Sequence, residues 1–174
     1  LHYLLDAPIK GHTQHLDNAD AIVLANYTDL NSQAELDAII DRVTQDSSCP
    51  VICCNPDQHI LSETGLVPVM GYYATHVEKQ LPKPMIWFGK PYHNFSDLVA
   101  TRLSVQGIKS DRSVLFFDDN LENVVAMQNH LGVSGCWVHE TGIMHTLSRS
   151  SAIDQYGSPT YILPSFNLNC SLDV

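Results

Sequence analysis

The sequence predicts an α/β fold built on a parallel sheet, and three observations predict it. Short apolar runs recur along the chain, stretches of helical period lie between them, and no repeat or low-complexity tract breaks the alternation. Leu1–Leu5 and Ala21–Ala25 are the first two strand candidates, each followed by polar turn residues. Ser32-Gln33-Ala34-Glu35 then forms a capping box, and Leu36, Ile39, Ile40 and Val43 fall on one helical face. Pro50–Cys54 is a third buried strand, ended by Asn55-Pro56-Asp57, where proline leaves the ladder. A second helix is expected over Val69–Gln80, and Pro82-Lys83-Pro84 reads as the hinge between two domains.

Beyond the hinge, Met85–Phe88 reads as strand, and Asn94 as the cap of a helix whose apolar face carries Phe95, Leu98, Val99 and Leu103. Ser113–Phe117 is a buried strand running into Asp118-Asp119-Asn120. Leu121, Val124, Val125 and Leu131 mark the next helix, which Gly132 ends. Cys136–Val138 continues as strand, Ser148, Ser150 and Ser151 open a polar helix or loop, and Tyr161–Leu163 is a last edge strand.

With 174 residues, 44% hydrophobic and 16% charged, the chain can bury a real core and is expected to be soluble. It has no membrane-length apolar run. A net charge of −10, with Lys and Arg scattered singly, gives the wrong field for nucleic acid or anionic membrane, and neither is expected as a partner. Cys49, Cys53, Cys54, Cys136 and Cys170 lack metal-ligand spacing and read as small hydrophobes of a reducing, cytoplasmic compartment. Because Leu1 opens the chain without a signal peptide, a fragment of a longer reading frame is expected.

The chemistry concentrates in two motifs. Asp118 and Asp119 stand at the carboxyl end of a predicted parallel strand, where such sheets place their ligands. Paired carboxylates suit Mg²⁺, which takes hard oxygen donors and completes its octahedron with water and phosphate. Lys90, in Gly89-Lys90-Pro91, could stabilise a phosphoryl group; at about 4 Å and an effective dielectric of about 20 such a pair is worth roughly 4 kcal/mol. The plainer alternatives are an N-terminal helix cap for Asp-Asp-Asn and a simple turn for Gly-Lys-Pro.

Gly89-Lys90-Pro91, the Phe-Phe-Asp-Asp run, Asn55-Pro56-Asp57 and Gly65-Leu66-Val67-Pro68 together resemble the haloacid-dehalogenase (HAD) superfamily, class IIA, the group of NagD-like, nitrophenyl and phosphoglycolate phosphatases. The resemblance runs from about Leu1 to Gly142. It implies a Rossmann-like HAD core, incomplete here, with an inserted α/β cap: residues 1–6 a core strand, 7–82 the cap, and 83–174 the second half of the core. It implies Lys90 as the catalytic third-motif lysine beside substrate-binding Gly89. Asp118 and Asp119 would be Mg²⁺ acids assisted by Asn123, and Asn55, Asp57 and His59 would lie on the cap's specificity loop. The double Asp departs from the Gly-Asp form common in class IIA. The family's nucleophilic Asp, its acid–base Asp two residues later and its phosphate-binding Ser or Thr have no counterpart in these residues, so the core should have a gap. The implied partners are a small phosphorylated metabolite, the missing amino-terminal core segment or another chain, and a second copy bound through the cap.

Other candidates are weaker. His12 and His15 lack further ligands for zinc, Cys53 and Cys54 lack a basic neighbour, and Gly132 and Gly142 read as turn residues. Three functions stay open: a capped phosphatase, a non-catalytic phospho-ligand-binding or regulatory relative lacking the nucleophile, and a receiver-type signalling domain. In the last the acid pair precedes the lysine, the reverse of the order here.

Overall fold

Ile22–Leu24 (β1), Val51–Cys53 (β2) and Ile86–Trp87 (β5) form one parallel sheet in the order β1-β2-β5, and Leu115–Asp118 (β6), Ser134–Val138 (β7) and Tyr161–Leu163 (β8) form another in the order β6-β7-β8. The computed structural model describes residues 16–25 and 33–165. The chain divides into two compact units, the second comprising Leu61–Leu66 and the residues from Lys90 onward. The strand expected at Leu1–Leu5, the His12 and His15 pair, Ser32 and Cys170 lie outside the described residues.

In the first unit, alternation along the strands puts Ile22, Leu24, Val51 and Cys53 on one face, all buried. The helices Gln33–Gln45 (α1) and Met70–Glu78 (α2) cover that face with Leu36, Ile39 and Val43 from the first and Met70, Ala74 and Val77 from the second. The predicted helical face of α1 is therefore its core face. Val23 and Ile86 point the other way and are exposed.

The strand at Ile86–Trp87 pairs in parallel with β2, and the first unit runs to Gly89. The reason is a set of hydrogen bonds that sequence periodicity does not encode. Glu78 Oε1 accepts both the Met85 backbone N–H and Trp87 Nε1–H, at 3.0 Å each, and Phe88 N–H reaches Cys53 O at 2.7 Å. The hairpin of His59–Ser62 (β3) and Gly65–Pro68 (β4) was not anticipated. Gly65 adopts φ +109° at its turn, and Ser62 Oγ–H closes the turn onto Gly65 O at 2.8 Å.

In the second unit, His93–Val105 (α3), Leu121–Leu131 (α4) and Arg149–Tyr156 (α5) accompany the sheet. Phe116, Trp137 and Ile162 share one sheet face and pack with Leu121 and Val124 of α4 and Ala152 of α5. Gly132 ends α4 in the left-handed region at φ 70°, as its sequence predicts, and Ser148 caps α5 by accepting Ser151 N–H. Helix α3 differs from expectation. Its N-cap is Tyr92 with no side-chain hydrogen bond, not Asn94, and Ser96 is its only fully buried residue, while Leu98 and Val105 are exposed. Cys49, Cys53 and Cys136 are buried free thiols, and burial pushes Cys53 up to about 11, so it is inert at neutral pH; Cys54 is exposed, contrary to the expectation of packing. Among the described residues no helix is long and apolar enough to cross a membrane.

At the contact of α3 with α4, the rings of His93 and His130 stack with centroids 3.5 Å apart, and His130 Nδ1 lies 3.3 Å from Ser96 Oγ. Burial holds His130 below its ordinary value of 6.5, with His93 adding to the effect and Asp97 opposing it. The unfolded chain then binds this proton more readily than the folded one. Stability should accordingly rise as pH increases through the window just below 6.5, and fall as pH drops through it. Urea midpoints measured between about pH 5 and about pH 8 check this: His130→Gln should flatten the slope, and an unchanged slope would reject the assignment.

Candidate active site

The carboxyl end of β6 and the loop after β5 bring two of the sequence-predicted groups into direct contact. Lys90 Nζ donates to Asp118 Oδ2 at 2.5 Å, with the Asp118 side chain 6% exposed and that of Lys90 32%. Asp118 Oδ1 accepts the Asn120 N–H at 2.9 Å and Asn123 Nδ2–H at 3.4 Å. Asn123 is itself buried on the first turn of α4. Three donors thus fix a carboxylate that has about four acceptor positions in all, which sets its orientation and leaves little free capacity.

The helix-capping alternative for Asp-Asp-Asn is resolved by division of labour. Asn120 is the N-cap of α4, its side chain accepting Glu122 N–H at 3.0 Å, so neither acid is spent on the cap. Asp119 is instead seated by the loop after β7. Its Oδ2 accepts Ile143 N–H at 3.0 Å, and its carbonyl accepts Trp137 Nε1–H at 3.1 Å. Gly142 lies so close that a Cβ there would sit 2.3 Å from Asp119 Cβ and 2.8 Å from Val138 O. Gly142 is therefore a seat for Asp119, a role that no local sequence signal announced.

The donor set agrees with a hard divalent cation. Two adjacent carboxylates stand at a strand end, and Asp119 Oδ1 has no protein partner among the described residues. Among the described residues no group of three or more His, Cys, Asp or Glu side chains could hold a metal unaided. The remaining ligands would have to come from water, phosphate or residues elsewhere, which is the usual habit of Mg²⁺.

Asn55, Asp57 and His59 lie in the first unit, where their loop is fixed by two glycines. A Cβ on Gly71 would meet Pro56 O at 2.1 Å, and one on Gly89, at φ +139°, would meet Pro56 Cδ at 2.5 Å. Gly71 N–H donates to Asp57 O at 3.0 Å, and Asn55 Oδ1 accepts Asp57 N–H at 3.4 Å. Gly89 is thus a buried backbone support for this loop in the first unit. The His59 ring lies 5.7 Å from that of Tyr72, which is 4.7 Å from His76. Tyr72 and His76 were not singled out in the sequence, because an exposed aromatic on a helix carries no motif.

Comparison with solved structures identifies the architecture. The chain superposes on a p-nitrophenyl phosphatase from Archaeoglobus fulgidus with a TM-score of 0.68 at 19% identity, covering 86% of this chain and 55% of that one. It superposes on a 4-nitrophenylphosphatase from Thermotoga maritima with a TM-score of 0.67 at 18% identity, covering 89% and 56%. With a possible sugar phosphatase of the HAD superfamily from Cytophaga hutchinsonii the TM-score is 0.72 at 23% identity, covering 94% and 60%. The chain thus shares part of the fold of these structures. The chain spans little more than half the length of the structures it matches. No family model matches the sequence, and no curated protein matches it either.

Proposed function

We propose that these residues are the cap and the carboxyl-terminal half of the core of a Mg²⁺-dependent phosphatase acting on a small phosphate monoester. The observation that carries this reading is the half-buried ion pair of Lys90 and Asp118 with Asp119 beside it at one strand end. An apolar strand end has no structural need for two acids and a lysine, whereas a phosphoryl-transfer site needs fixed positive charge and hard oxygen donors together. The fold's likeness to nitrophenyl phosphatases supports the same chemistry.

Each residue then has a task. Asp118 anchors the Lys90 ammonium, whose remaining N–H groups stabilise charge on the phosphoryl oxygens; Asn123 and the Asn120 N–H keep that carboxylate from rotating. Asp119, with its free Oδ1, and Asp118 would hold Mg²⁺, with Asn123 positioning the latter. When bound, the ion neutralises phosphate charge and orients the group for in-line attack. The attacking carboxylate, which forms an aspartyl-phosphate as the ester oxygen departs with a proton, belongs to a core segment outside these 174 residues. Asn55, Asp57 and His59, on the loop that resembles the family's specificity loop, are the candidates to select the leaving group, with His59 the one proposed to touch it. The exposed Val23 and Ile86 face of the cap sheet is the surface through which a homodimer would form.

A second reading, a phospho-ligand-binding protein without a nucleophile, is favoured by the three donors already on the Asp118 carboxylate, which leave it little capacity for a metal. An assay with p-nitrophenyl phosphate separates the two. The 174-residue chain alone should give no turnover, whereas the product of the complete reading frame should turn over with Mg²⁺, stop with EDTA and recover when Mg²⁺ is restored. A complete product that binds phosphate without hydrolysing the ester selects the second reading.

A further inference from the structure

His139 follows β7 directly and is 9% exposed, a buried histidine outside the acid pair and its partners. Its Nε2 lies 2.9 Å from Leu147 O. A carbonyl oxygen only accepts, so Nε2 carries the hydrogen and donates it. That bond joins the two ends of the loop 139–147, which His139 opens and Leu147 closes. The imidazole meets Trp137 edge-on at 4.6 Å, and Trp137 is fully buried in the core. One end of the loop is therefore anchored on the sheet and holds the other end by a single donor.

What the loop carries is the seat of Asp119. Ile143 N–H donates to Asp119 Oδ2 at 3.0 Å, and Gly142 lies against Asp119 Cβ. The same stretch is pinned from within by buried Met144, whose Sδ accepts Leu121 N–H at 3.4 Å on the first turn of α4. His145 N–H bonds Gly142 O and Leu147 N–H bonds Met144 O, each at 3.0 Å. The turn is thus a chain of short-range bonds ending at Leu147, and His139 ties that end back.

The arrangement leaves one atom unsatisfied. His139 Nδ1 is buried and has no hydrogen-bond partner among the described residues. A buried polar atom without a partner is destabilising, and a leucine or phenylalanine would fill the place beside Trp137 without that penalty. Packing alone does not account for a histidine at this position, whereas the Nε2 bond to Leu147 does.

We infer that His139 is a positioning residue for Asp119: by tying Leu147 to the sheet it holds Ile143 N–H against the Asp119 carboxylate and so fixes the direction of Asp119 Oδ1. The tie stands on the geometry alone, and its consequence for Mg²⁺ rests on the functional reading above. Groups that orient a metal's ligands change its affinity about 10- to 100-fold when they are removed.

Two variants test it. His139→Gln can place an amide N–H where Nε2–H stands, whereas the shorter His139→Asn cannot reach Leu147 O. In the 174-residue chain, amide hydrogen exchange followed by NMR should show Ile143 N–H about tenfold faster in His139→Asn, the loss of one ordinary hydrogen bond, and within about twofold of wild type in His139→Gln. Ser134 N–H, bonded to Val114 O at 2.9 Å at the far end of β7, should be unchanged in both. Unaltered Ile143 exchange in His139→Asn overturns the inference, and so does equal acceleration at Ser134, which would make His139 a support of the whole core. In the product of the complete reading frame, His139→Asn should raise the half-saturating Mg²⁺ for p-nitrophenyl phosphate turnover about tenfold with KM for the ester unchanged, and His139→Gln should restore it. An Ile143 effect with unchanged Mg²⁺ dependence overturns the positioning role. An Ile143 effect in a protein whose complete product shows no turnover removes the functional reading and upholds the tie.

Discussion

Lys90→Ala in the complete protein should lower p-nitrophenyl phosphate turnover by a factor on the order of 10²–10³, the usual consequence of deleting one preorganised charge at a transferring group. The same change strands Asp118, whose side chain is 6% exposed and whose strongest partner is the lysine. Leaving a buried carboxylate unpaired is destabilising, here by about 1–3 kcal/mol because the lysine end of the pair is partly solvated. Asp119→Ala should cost comparable turnover without that stability loss, since Asp119 is exposed and its principal anchor is a single backbone N–H. The contrast is the diagnostic. Two variants as active as wild type would dispose of the site, and a Lys90→Ala enzyme with normal turnover but lowered stability would leave the ion pair with a structural role only.

The largest stability effect should come from Trp137→Ala, at about 3–5 kcal/mol. Trp137 is fully buried at the centre of the second unit's core, packs with Leu121, Val124 and Met144, and meets His139 edge-on at 4.6 Å. Its Nε1–H also holds the Asp119 carbonyl at 3.1 Å, so the residue couples the core to the acid pair. Trp137→Phe should keep most of the packing and lose about 1 kcal/mol for the hydrogen bond. Chemical denaturation of the two variants checks both figures. A Trp137→Ala midpoint within the range of surface substitutions would mean that this core does not exist as described. A Trp137→Phe protein with a normal midpoint but weakened Mg²⁺ dependence would locate the tryptophan's second role in seating Asp119.

Much of the architecture was legible locally. The i, i+3, i+4, i+7 pattern from Leu36 to Val43 is a helix face because only that face meets the sheet, and Gly132 stops α4 because it alone accepts φ 70° there without strain. Lys90 and Asp118, each singled out by its motif, lie in direct contact. Sequence patterns are silent where partners, and not propensities, decide. Helix α3 has a respectable apolar stripe, yet Leu98 and Val105 stay exposed, because periodicity reports which face wants burial and not whether anything arrives to bury it.

Strand and helix periods, the order of lysine and acids, and the turn residues that separate them follow from interactions within about a dozen residues, so the amino-acid string settles them alone. Which sheet receives Ile86–Trp87, which of three consecutive polar residues caps α4, why Gly142 must lack a side chain and which sheet face is left bare depend on contacts between distant segments. Glu78 reaching Trp87 and Ile143 reaching Asp119 are such contacts. They arise only after the chain has packed, because a hydrogen bond or a close approach is specified by three-dimensional separation and not by spacing along the backbone.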